Sequence, residues 1–501
     1  MSRDILVVDV GTSSVRASVV RPDATVDHVH QALLTTATPA PGLAEVDARR
    51  LADVVLEVAA ATLAASGPVD GVGIAAQRAT TVVWDRATGE PVAPAIGWQD
   101  LRTVVTCLSL QSEGIRLAPN MSATKLAAIL DAVDPERVRA TAGALCAGTV
   151  DSWVAWTLSG GPAGPGGGVH VTDATNAAVT GLLAPGPAGR FDEWDTRVCE
   201  ALRIPQAMLP AIVDSTGAVA PAMALPGAPP ICTLLGDKQA SLVGQGCTLP
   251  GSAKATFGTG GMLDLCTGPE PPTRAARGPA GTFPIVAWRS KGVCTWGAEA
   301  IMLTAGTCVD WLVEDLGIVA APAETAAVAG ACEDTGGVWF VPAFMGMGTP
   351  VWDFGARGTL LGVTRGTGRP ELVRAVLEGV AHRGADLLEA AEADGGHCVS
   401  RLRVDGGMSA NPVFVQALAD ACGRPVELSR ELEATSLGAG MLAGIATGVW
   451  AGTEEIAAAY RPRAVVEPRL DVDGRRALRA RWLEVRDRAA RTIPELSGID
   501  F

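Results

Sequence analysis

The segment "DVGTSS", residues 9–14, ends an apolar run and joins a carboxylate to a turn of small residues. Such a turn exposes several backbone N–H groups and hydroxyls in one concavity, which is what a polyphosphate requires of a protein. Asp9, at the end of the apolar run, is a candidate to hold Mg²⁺ through its waters. Taken alone, the segment is open to a second interpretation, an ordinary glycine hairpin with an acidic residue at the strand end.

Two more glycine-rich turns follow later in the chain, "FGTGG" at 257–261 and "DGGMSANP" at 405–412. The second precedes a predicted helix over Asn411–Ala419. Three such turns at strand ends, spread over both halves, favour a nucleotide held between two domains. The P-loop pattern G-x-x-x-x-G-K-[ST] does not occur. "GVGIAA" at 71–76 resembles a dinucleotide-binding turn, but its glycines precede the strand instead of following it.

The first of these turns must be positioned by strands of the N-terminal hundred residues. Apolar runs predict strands over Ile5–Val10, Val15–Val20, 71–77 and 80–85, and helical periodicity begins at Leu51. Together they predict a mixed sheet covered by helices.

The pattern of apolar strands followed by glycine-rich turns restarts after residue 244, which predicts a second domain with its own sheet. The expected domains are therefore residues 1–244 and 245–501. An apolar strand that ends in Asp and is followed by Gly occurs at Asp9 and again at Asp405. This recurrence suggests that the two halves are distant copies of one architecture.

Length and charge limit the functions that this chain can have. With 501 residues it exceeds the size of a single core, so two domains with a ligand cleft are expected. A formal net charge of −14 disfavours nucleic acid and anionic membranes as partners. The Cys and His spacings show neither a zinc motif nor a disulfide scaffold. Charged residues near the N-terminus interrupt any signal peptide, so a cytoplasmic protein is expected.

Several further segments share one property, a match to a known family. They are "QRATTVVWDRATGEPVAPAIGWQDLRT" from Gln77, "SATKL" from Ser122, "GTVDSWVAWTLSGG" from Gly148, "HVTDATNAAVTGLL" from His170, "LLGDKQASLVGQ" from Leu234, "GGVWFVPAFMGMGTPVWDFGARGTLLGVTRGT" from Gly336 and "SLGAGMLAGIATGVW" from Ser436. With the three glycine turns, they run in order over about residues 5–450. The sequence thus resembles the FGGY carbohydrate kinases, and among them most closely the glycerol kinases.

This resemblance implies two actin-like, ribonuclease-H-like α/β domains with an interdomain cleft, the first binding substrate and phosphate and the second the nucleotide. The implied ligands are ATP, Mg²⁺ and a small polyol or sugar, and a homo-oligomer (dimer or tetramer) is expected. Asp237 matches the catalytic base, which takes the proton of the attacking alcohol, and Asp9 the Mg²⁺ anchor. The implied ATP contacts are Gly11, Thr12, Ser13, Arg16, Gly258, Thr259, Gly306, Asp310, Gly407 and Asn411.

The implied substrate contacts are Arg78, Ala79, Trp98, Asn120, Asp237, Lys238 and Met262. Four of them depart from the glycerol-kinase pattern, because Glu is replaced by Ala79, Tyr by Asn120, Phe by Met262 and Gln by Lys238. A carboxylate replaced by a methyl group loses charge-assisted hydrogen bonds of roughly 1.5–3 kcal/mol each. The smaller side chains also enlarge the pocket.

These departures lead to the expectation of a substrate with more carbon atoms than glycerol. The first alternative is that other residues compensate and glycerol itself is the substrate. The second alternative is a catalytically inactive sugar-binding regulator on the same scaffold, since a fold does not guarantee an activity.

Overall fold

The computed structural model describes residues 3–164, 166–184, 193–272, 277–431 and 433–498. Its two largest sheets are each formed within one half of the chain. The first contains six strands, in the order β12-β13-β6-β1-β2-β3. These strands are β1 (Ile5–Val10), β2 (Ser14–Val20), β3 (Val26–Leu33), β6 (Gly71–Ala76), β12 (Thr216–Pro221) and β13 (Pro230–Gly236).

The second large sheet contains seven strands, in the order β16-β17-β15-β14-β20-β21-β22. These strands are β14 (Ala253–Phe257), β15 (Gly261–Gly268), β16 (Phe283–Ser290), β17 (Val293–Met302), β20 (Leu402–Asp405), β21 (Val426–Leu428) and β22 (Ala464–Val466). Both sheets are mixed, as predicted.

The two sheets share one pairing pattern. β1 pairs antiparallel with β2 and parallel with β6, and β6 pairs parallel with β13. In the second sheet β14 pairs antiparallel with β15 and parallel with β20, and β20 pairs parallel with β21. This shared pattern confirms the prediction that the two halves are copies of one architecture. The predicted correspondence of Asp9 with Asp405 is wrong. β14 is the counterpart of β1, so Thr256 occupies the position of Asp9, whereas Asp405 ends β20, the counterpart of β6.

Smaller sheets contain the remaining described strands, which are β4 (Thr36–Ala37), β5 (Glu45–Val46), β7 (Val82–Asp85), β8 (Ala95–Ile96), β9 (Leu145–Gly148), β10 (Val171–Asp173), β11 (Ala211–Val213), β18 (Trp339–Val341) and β19 (Thr359–Leu361). The strand predicted over 80–85 is β7, which pairs with β9 and lies outside the main sheet.

The helices described before residue 250 are α1 (Ala48–Ser66), α2 (Val104–Ser112), α3 (Ser122–Val133), α4 (Val138–Thr141), α5 (Val150–Leu158), α6 (Ala174–Ala178), α7 (Thr196–Ala201) and α8 (Asp237–Gly244). Those described after it are α9 (Thr307–Asp310), α10 (Glu324–Ala329), α11 (Arg369–Gly395), α12 (Pro412–Cys422), α13 (Ala434–Thr447), α14 (Thr453–Ala459), α15 (Val472–Ala489) and α16 (Pro494–Ser497). None of these described helices has the length and apolar character that crossing a bilayer requires.

β1 is apolar at every position except Asp9 because both of its faces are covered. Leu6 and Val8 belong to a core shared with α1 and α5, whereas Ile5 and Val7 pack in a cluster with α8 and α13. The second half of the chain therefore covers one face of the first sheet through α13.

α8 and α13 cross with their backbones in contact. A Cβ added at Gly244 would overlap the Ala434 carbonyl, and one added at Gly438 would overlap that of Ala240. Glycine is required on both helices at this crossing, which joins the two halves directly behind the cleft.

Candidate functional site

Three neighbouring parallel strands of the first sheet end at one edge, and each is followed by a predicted site residue. β1 carries Asp9 and leads into the Gly11 turn, β6 is followed by Arg78, and β13 leads directly into Asp237. In open α/β sheets ligands bind outside the carboxyl ends of such strands. The fold therefore brings these residues together although they are up to 228 positions apart (from 9 to 237).

Asp9 and Asp237 share one electrostatic environment. Burial, followed by the nearby Asp237 carboxylate, raises the pKa of Asp9 to about 7, while the positive charges of Arg16 and Lys238 oppose this shift. Asp9 is 7% exposed, and the Lys238 Nζ atom lies 3.9 Å from Asp237 Oδ2. A cation bound beside this buried carboxyl would stabilise its charged form and displace its proton.

Arg78 lies near Asp237, and Trp98 contacts Thr12 of the first glycine turn. The Arg78 Nε atom is 3.9 Å from Asp237 Oδ1, and the indole N–H of Trp98 donates to Thr12 Oγ1 over 3.1 Å. Trp98 is 41% exposed, so its ring is available to a ligand.

Ala79, Asn120 and Met262 have no such tie to Asp237 among the described residues. Ala79 is buried, adopts a left-handed φ of 63°, and its carbonyl accepts a hydrogen bond from Ser122 Oγ. Asn120 is exposed, and its carbonyl accepts a hydrogen bond from Lys125 Nζ over 3.0 Å. Met262 lies half-buried on β15. Their contact with substrate stays a prediction.

The Gly258 turn, which follows β14, is braced by the segment after β17. The Gly306 N–H donates to the Gly258 carbonyl over 2.8 Å, and the Ala305 N–H donates to the Thr259 carbonyl over 2.9 Å. A Cβ on Gly306 would lie 2.6 Å from the Gly258 oxygen, so Gly306 is required for this packing. Asp310 is exposed at the end of α9.

The third turn lies beside the second, because a Cβ on Gly406 would overlap the backbone of Phe257 at the end of β14. Asn411 caps α12, since its Oδ1 accepts from the Val413 and Phe414 N–H groups, and its Nδ2 donates to Thr325 Oγ1. Its side chain thus holds the helix start in place, and its contact with a nucleotide stays a prediction.

One glycine in each turn, Gly11, Gly258 or Gly407, has no conformational or steric reason to be glycine. None of Gly11, Gly258 and Gly407 has a left-handed φ. A Cβ would meet nothing within 4 Å at Gly258 or Gly407, and at Gly11 only the Ser14 oxygen at 3.4 Å. Glycine in such a place allows a ligand to approach the backbone closely.

The sequence analysis missed two carboxylates of the second half that pair with site residues of the first. Glu299 on β17 accepts a 2.7 Å hydrogen bond from Arg78 Nη2, and Glu433 accepts a 2.9 Å hydrogen bond from Arg16 Nη1. Glu299 had a detectable signal, because an acidic residue inside an apolar strand requires a buried partner. For Glu433, which directly precedes α13, no such signal exists.

The pKa of Arg78 reflects this pairing. Burial would lower it, but the carboxylates of Glu299 and Asp237 outweigh burial, so the pKa is raised. The guanidinium is therefore held in its charged form inside the cleft.

Comparison with known proteins gives matches over nearly the whole chain. Residues 5–244 match the model of the N-terminal domain of the FGGY family of carbohydrate kinases, and residues 253–447 match that of the C-terminal domain. A glycerol kinase of Aromatoleum aromaticum is 40% identical over 501 residues, covering 97% of this chain and 98% of its own.

Solved structures agree with this match. Plasmodium falciparum glycerol kinase with ADP superposes with a TM-score of 0.89 at 27% identity, covering 97% of this chain and 98% of its own. Gluconate kinase from Lactobacillus acidophilus, at 20% identity and a TM-score of 0.85, covers 99% of this chain and 100% of its own and shares the fold.

Proposed function

The chain belongs to the FGGY family of carbohydrate kinases, and from this premise we propose that it transfers the γ-phosphoryl group of ATP to a hydroxyl of glycerol. It is a phosphotransferase with an alcohol acceptor. The identity of about 40% to glycerol kinases over almost the full length supports glycerol as that alcohol. The observation that carries the chemistry is the position of Asp237, beside Arg78 and Asp9 at the carboxyl edge of the first sheet.

ATP and Mg²⁺ fit the residues present. Gly258 and Gly407 leave open space where a Cβ would otherwise project, so phosphate oxygens can reach the backbone N–H groups. Asp9 is an oxygen donor of the kind that Mg²⁺ prefers. When bound, Mg²⁺–ATP supplies the phosphoryl group and neutralises part of its charge.

In this proposal Asp237 accepts the proton of the attacking hydroxyl as that oxygen bonds to phosphorus and the bond to the leaving ADP oxygen breaks. Arg78 donates to a substrate hydroxyl, and Trp98 packs against the carbon chain. The N–H groups of the three turns donate to phosphate oxygens, where negative charge is concentrated. Closing of the two halves excludes water, which would otherwise accept the phosphoryl group.

The two domains of this proposal keep the predicted limits. Residues 1–244 hold substrate and phosphate, and residues 245–501 hold the nucleotide. A cytoplasmic location and a homo-oligomeric state remain part of the proposal on the basis of the family resemblance.

A longer polyol or sugar is the second candidate substrate. Ala79 and Asn120 stand where glycerol kinases carry larger side chains, and Lys238 adds a cation 3.9 Å from Asp237. Glycerol is preferred because the glycerol kinases resemble this chain over their whole length. If the pocket argument is right instead, Ala79→Glu with Asn120→Tyr raises kcat/KM for glycerol, whereas an unchanged or lower value contradicts it.

Polyol-dependent ADP release from the purified protein tests the proposal, with three- to seven-carbon polyols and ketoses as acceptors. Glycerol is expected to be the best substrate. Asp237→Asn is expected to lower kcat by about 10²–10⁴-fold. Asp195→Asn is the matched control, because Asp195 caps α7 outside the cleft.

Three results would contradict this scheme. Better turnover of a longer polyol than of glycerol favours the second candidate. No turnover across the panel favours a non-catalytic sugar-binding protein. A kcat that survives Asp237→Asn removes Asp237 from its role as the base.

A further inference from the structure

The three nitrogen atoms of the Arg78 guanidinium have different surroundings. Nη2 donates to Glu299 Oε2 over 2.7 Å, and Nε lies 3.9 Å from Asp237 Oδ1. Nη1 is buried and has no hydrogen-bond partner among the described residues. Because a buried N–H group without a partner is unfavourable, Nη1 is the donor that is available for a substrate hydroxyl.

We propose that Glu299 is a positioning residue for the polyol, which fixes Arg78 so that Nη1 faces the substrate and which couples polyol binding to nucleotide binding. This inference rests on the proposed kinase function and deepens it. Glu299 touches neither substrate nor nucleotide in this scheme and acts through Arg78.

The Arg78–Glu299 bond is suited to this positioning. The side chains of Arg78 and Glu299 are 13% and 9% exposed, so water competes little for either group. Charge-assisted hydrogen bonds in such surroundings are short and directional. A long arginine side chain that is held at one nitrogen loses most of its rotamer freedom before substrate arrives, which improves binding.

The coupling follows from the strand that carries Glu299. Arg78 follows β6 of the first sheet, whereas Glu299 lies on β17 of the second, so the bond crosses between the halves. β17 ends at Met302, and the residues that follow it brace the Gly258 turn through the Gly306 N–H. One short rigid segment therefore connects the polyol donor to the predicted phosphate turn.

Binding at the two ends of this segment is expected to be synergistic. Glycerol that binds Arg78 Nη1 stabilises the Arg78–Glu299 contact between the halves, and nucleotide bound at the Gly258 turn stabilises the same arrangement from the other end of the segment. Such coupling is reciprocal by thermodynamic necessity, so either ligand increases the affinity for the other by the same factor.

Glu299→Gln tests the inference, because the amide keeps the shape of the side chain and removes its charge. We expect the KM for glycerol to rise about 10- to 100-fold, which is the loss of one charge-assisted hydrogen bond. We also expect the ratio of the glycerol Kd without ADP to that with ADP to fall towards 1. A purely structural role would lower thermal stability and leave the KM and this ratio unchanged.

Glu427→Gln is the matched control. Glu427 is an equally buried glutamate of the same sheet, 10% exposed in its side chain and paired with Arg401 and Arg403. Its substitution is expected to leave the glycerol KM and the Kd ratio unchanged.

A double-mutant cycle with Arg78→Gln shows whether Glu299 acts through Arg78. The glycerol Kd of Arg78→Gln/Glu299→Gln is expected to equal that of Arg78→Gln alone. The double variant carries no unpaired buried charge, so it keeps the test available if Glu299→Gln folds poorly. Independent, additive losses in the cycle would overturn the inference.

Other outcomes separate this inference from the proposed function. A glycerol KM within twofold of wild type in Glu299→Gln overturns the role of Glu299 and leaves the glycerol kinase proposal intact. A wild-type protein that prefers a longer polyol overturns the glycerol proposal, and the same measurements with that polyol then decide the role of Glu299. A protein that phosphorylates no polyol overturns both.

Discussion

Lys125 is a fully buried cation in α3 whose replacement should stabilise the protein and weaken substrate binding. Its Nζ donates to the Asn120 carbonyl, and its side chain has no exposed surface. Burial lowers the pKa of Lys125 from 10.5 to about 7, partly offset by the charge of Asp100, while Arg102 adds to the lowering. At 1.36 kcal/mol per pKa unit, this depression corresponds to a penalty of about 4–5 kcal/mol for the charged form.

The pH dependence of this penalty has a definite sign. Below about pH 7 Lys125 is charged in both the folded and the unfolded protein, and the folded protein carries the full penalty of the buried charge. Between pH 7 and 10.5 the unfolded chain binds more protons than the folded one, so the contribution of Lys125 to stability rises with pH. Lys125→Met removes this dependence. After loss of a hydrogen bond of about 1–3 kcal/mol to Asn120, a net stabilisation of about 1–3 kcal/mol is expected at pH 7.

Urea unfolding of wild type and Lys125→Met at pH 7 and pH 9 measures this effect. The stabilisation by methionine should be smaller at pH 9 by about 2–3 kcal/mol, since the penalty falls by 1.36 kcal/mol per pH unit. In parallel the KM for glycerol should rise severalfold, because the Asn120 carbonyl loses the hydrogen bond from Lys125 that holds it in place. A stability difference that is the same at both pH values would refute the reasoning, and an unchanged KM would separate Lys125 from the polyol site.

Two further substitutions test other parts of the molecule. Gly258→Ala should leave the free energy of unfolding unchanged or up to about 1 kcal/mol higher, yet raise the KM for ATP at least tenfold. Gly498 is equally open, so Gly498→Ala should have the same small effect on stability and leave the KM for ATP unchanged. A KM for ATP in Gly258→Ala equal to that of wild type would contradict a phosphate turn. Burial, followed by the charge of Asp173, raises the pKa of Asp151 to about 7. Asp151→Asn should therefore stabilise the protein more at pH 8 than at pH 5. Urea unfolding that shows no such increase would contradict the raised pKa of Asp151.

The parts of the fold that were predicted from the sequence are local. Apolar runs predicted β1 and β6 nearly to the residue, and the turns at 257–261 and 405–412 lie at strand ends as expected. The signal is reliable there because a strand covered on both faces is almost continuously apolar. It fails at 80–85, where apolar residues form β7 in a separate small sheet, since burial alone does not specify the pairing partner.

The contacts between the halves could not be predicted in the same way. Arg78 and Glu299 are 221 residues apart, and Arg16 and Glu433 are 417 apart. No periodicity connects such positions, because only the packing of complete sheets brings them together. Asn411 shows the same limit, since its type is equally suited to a helix cap and to a ligand contact, and the structure gives it the first.

The internal symmetry shows that the proposed metal anchor, Asp9, has no counterpart in the second half. β1 and β14 are counterparts, and their ends read Asp-Val-Gly-Thr and Thr-Phe-Gly-Thr, so both keep the turn while only the first keeps the carboxylate. A second unpaired carboxylate at the position of Thr256 would repel the phosphates that both turns are suited to hold.

The carboxylates that the second half does bring across are neutralised by arginines of the first, Glu299 by Arg78 and Glu433 by Arg16. In the proposed function, the polyphosphate therefore meets three donor turns and one acidic side of the cleft. Because a general base and a metal anchor are each needed only once, a duplicated fold can carry both on one copy and leave the other free to bind the nucleotide.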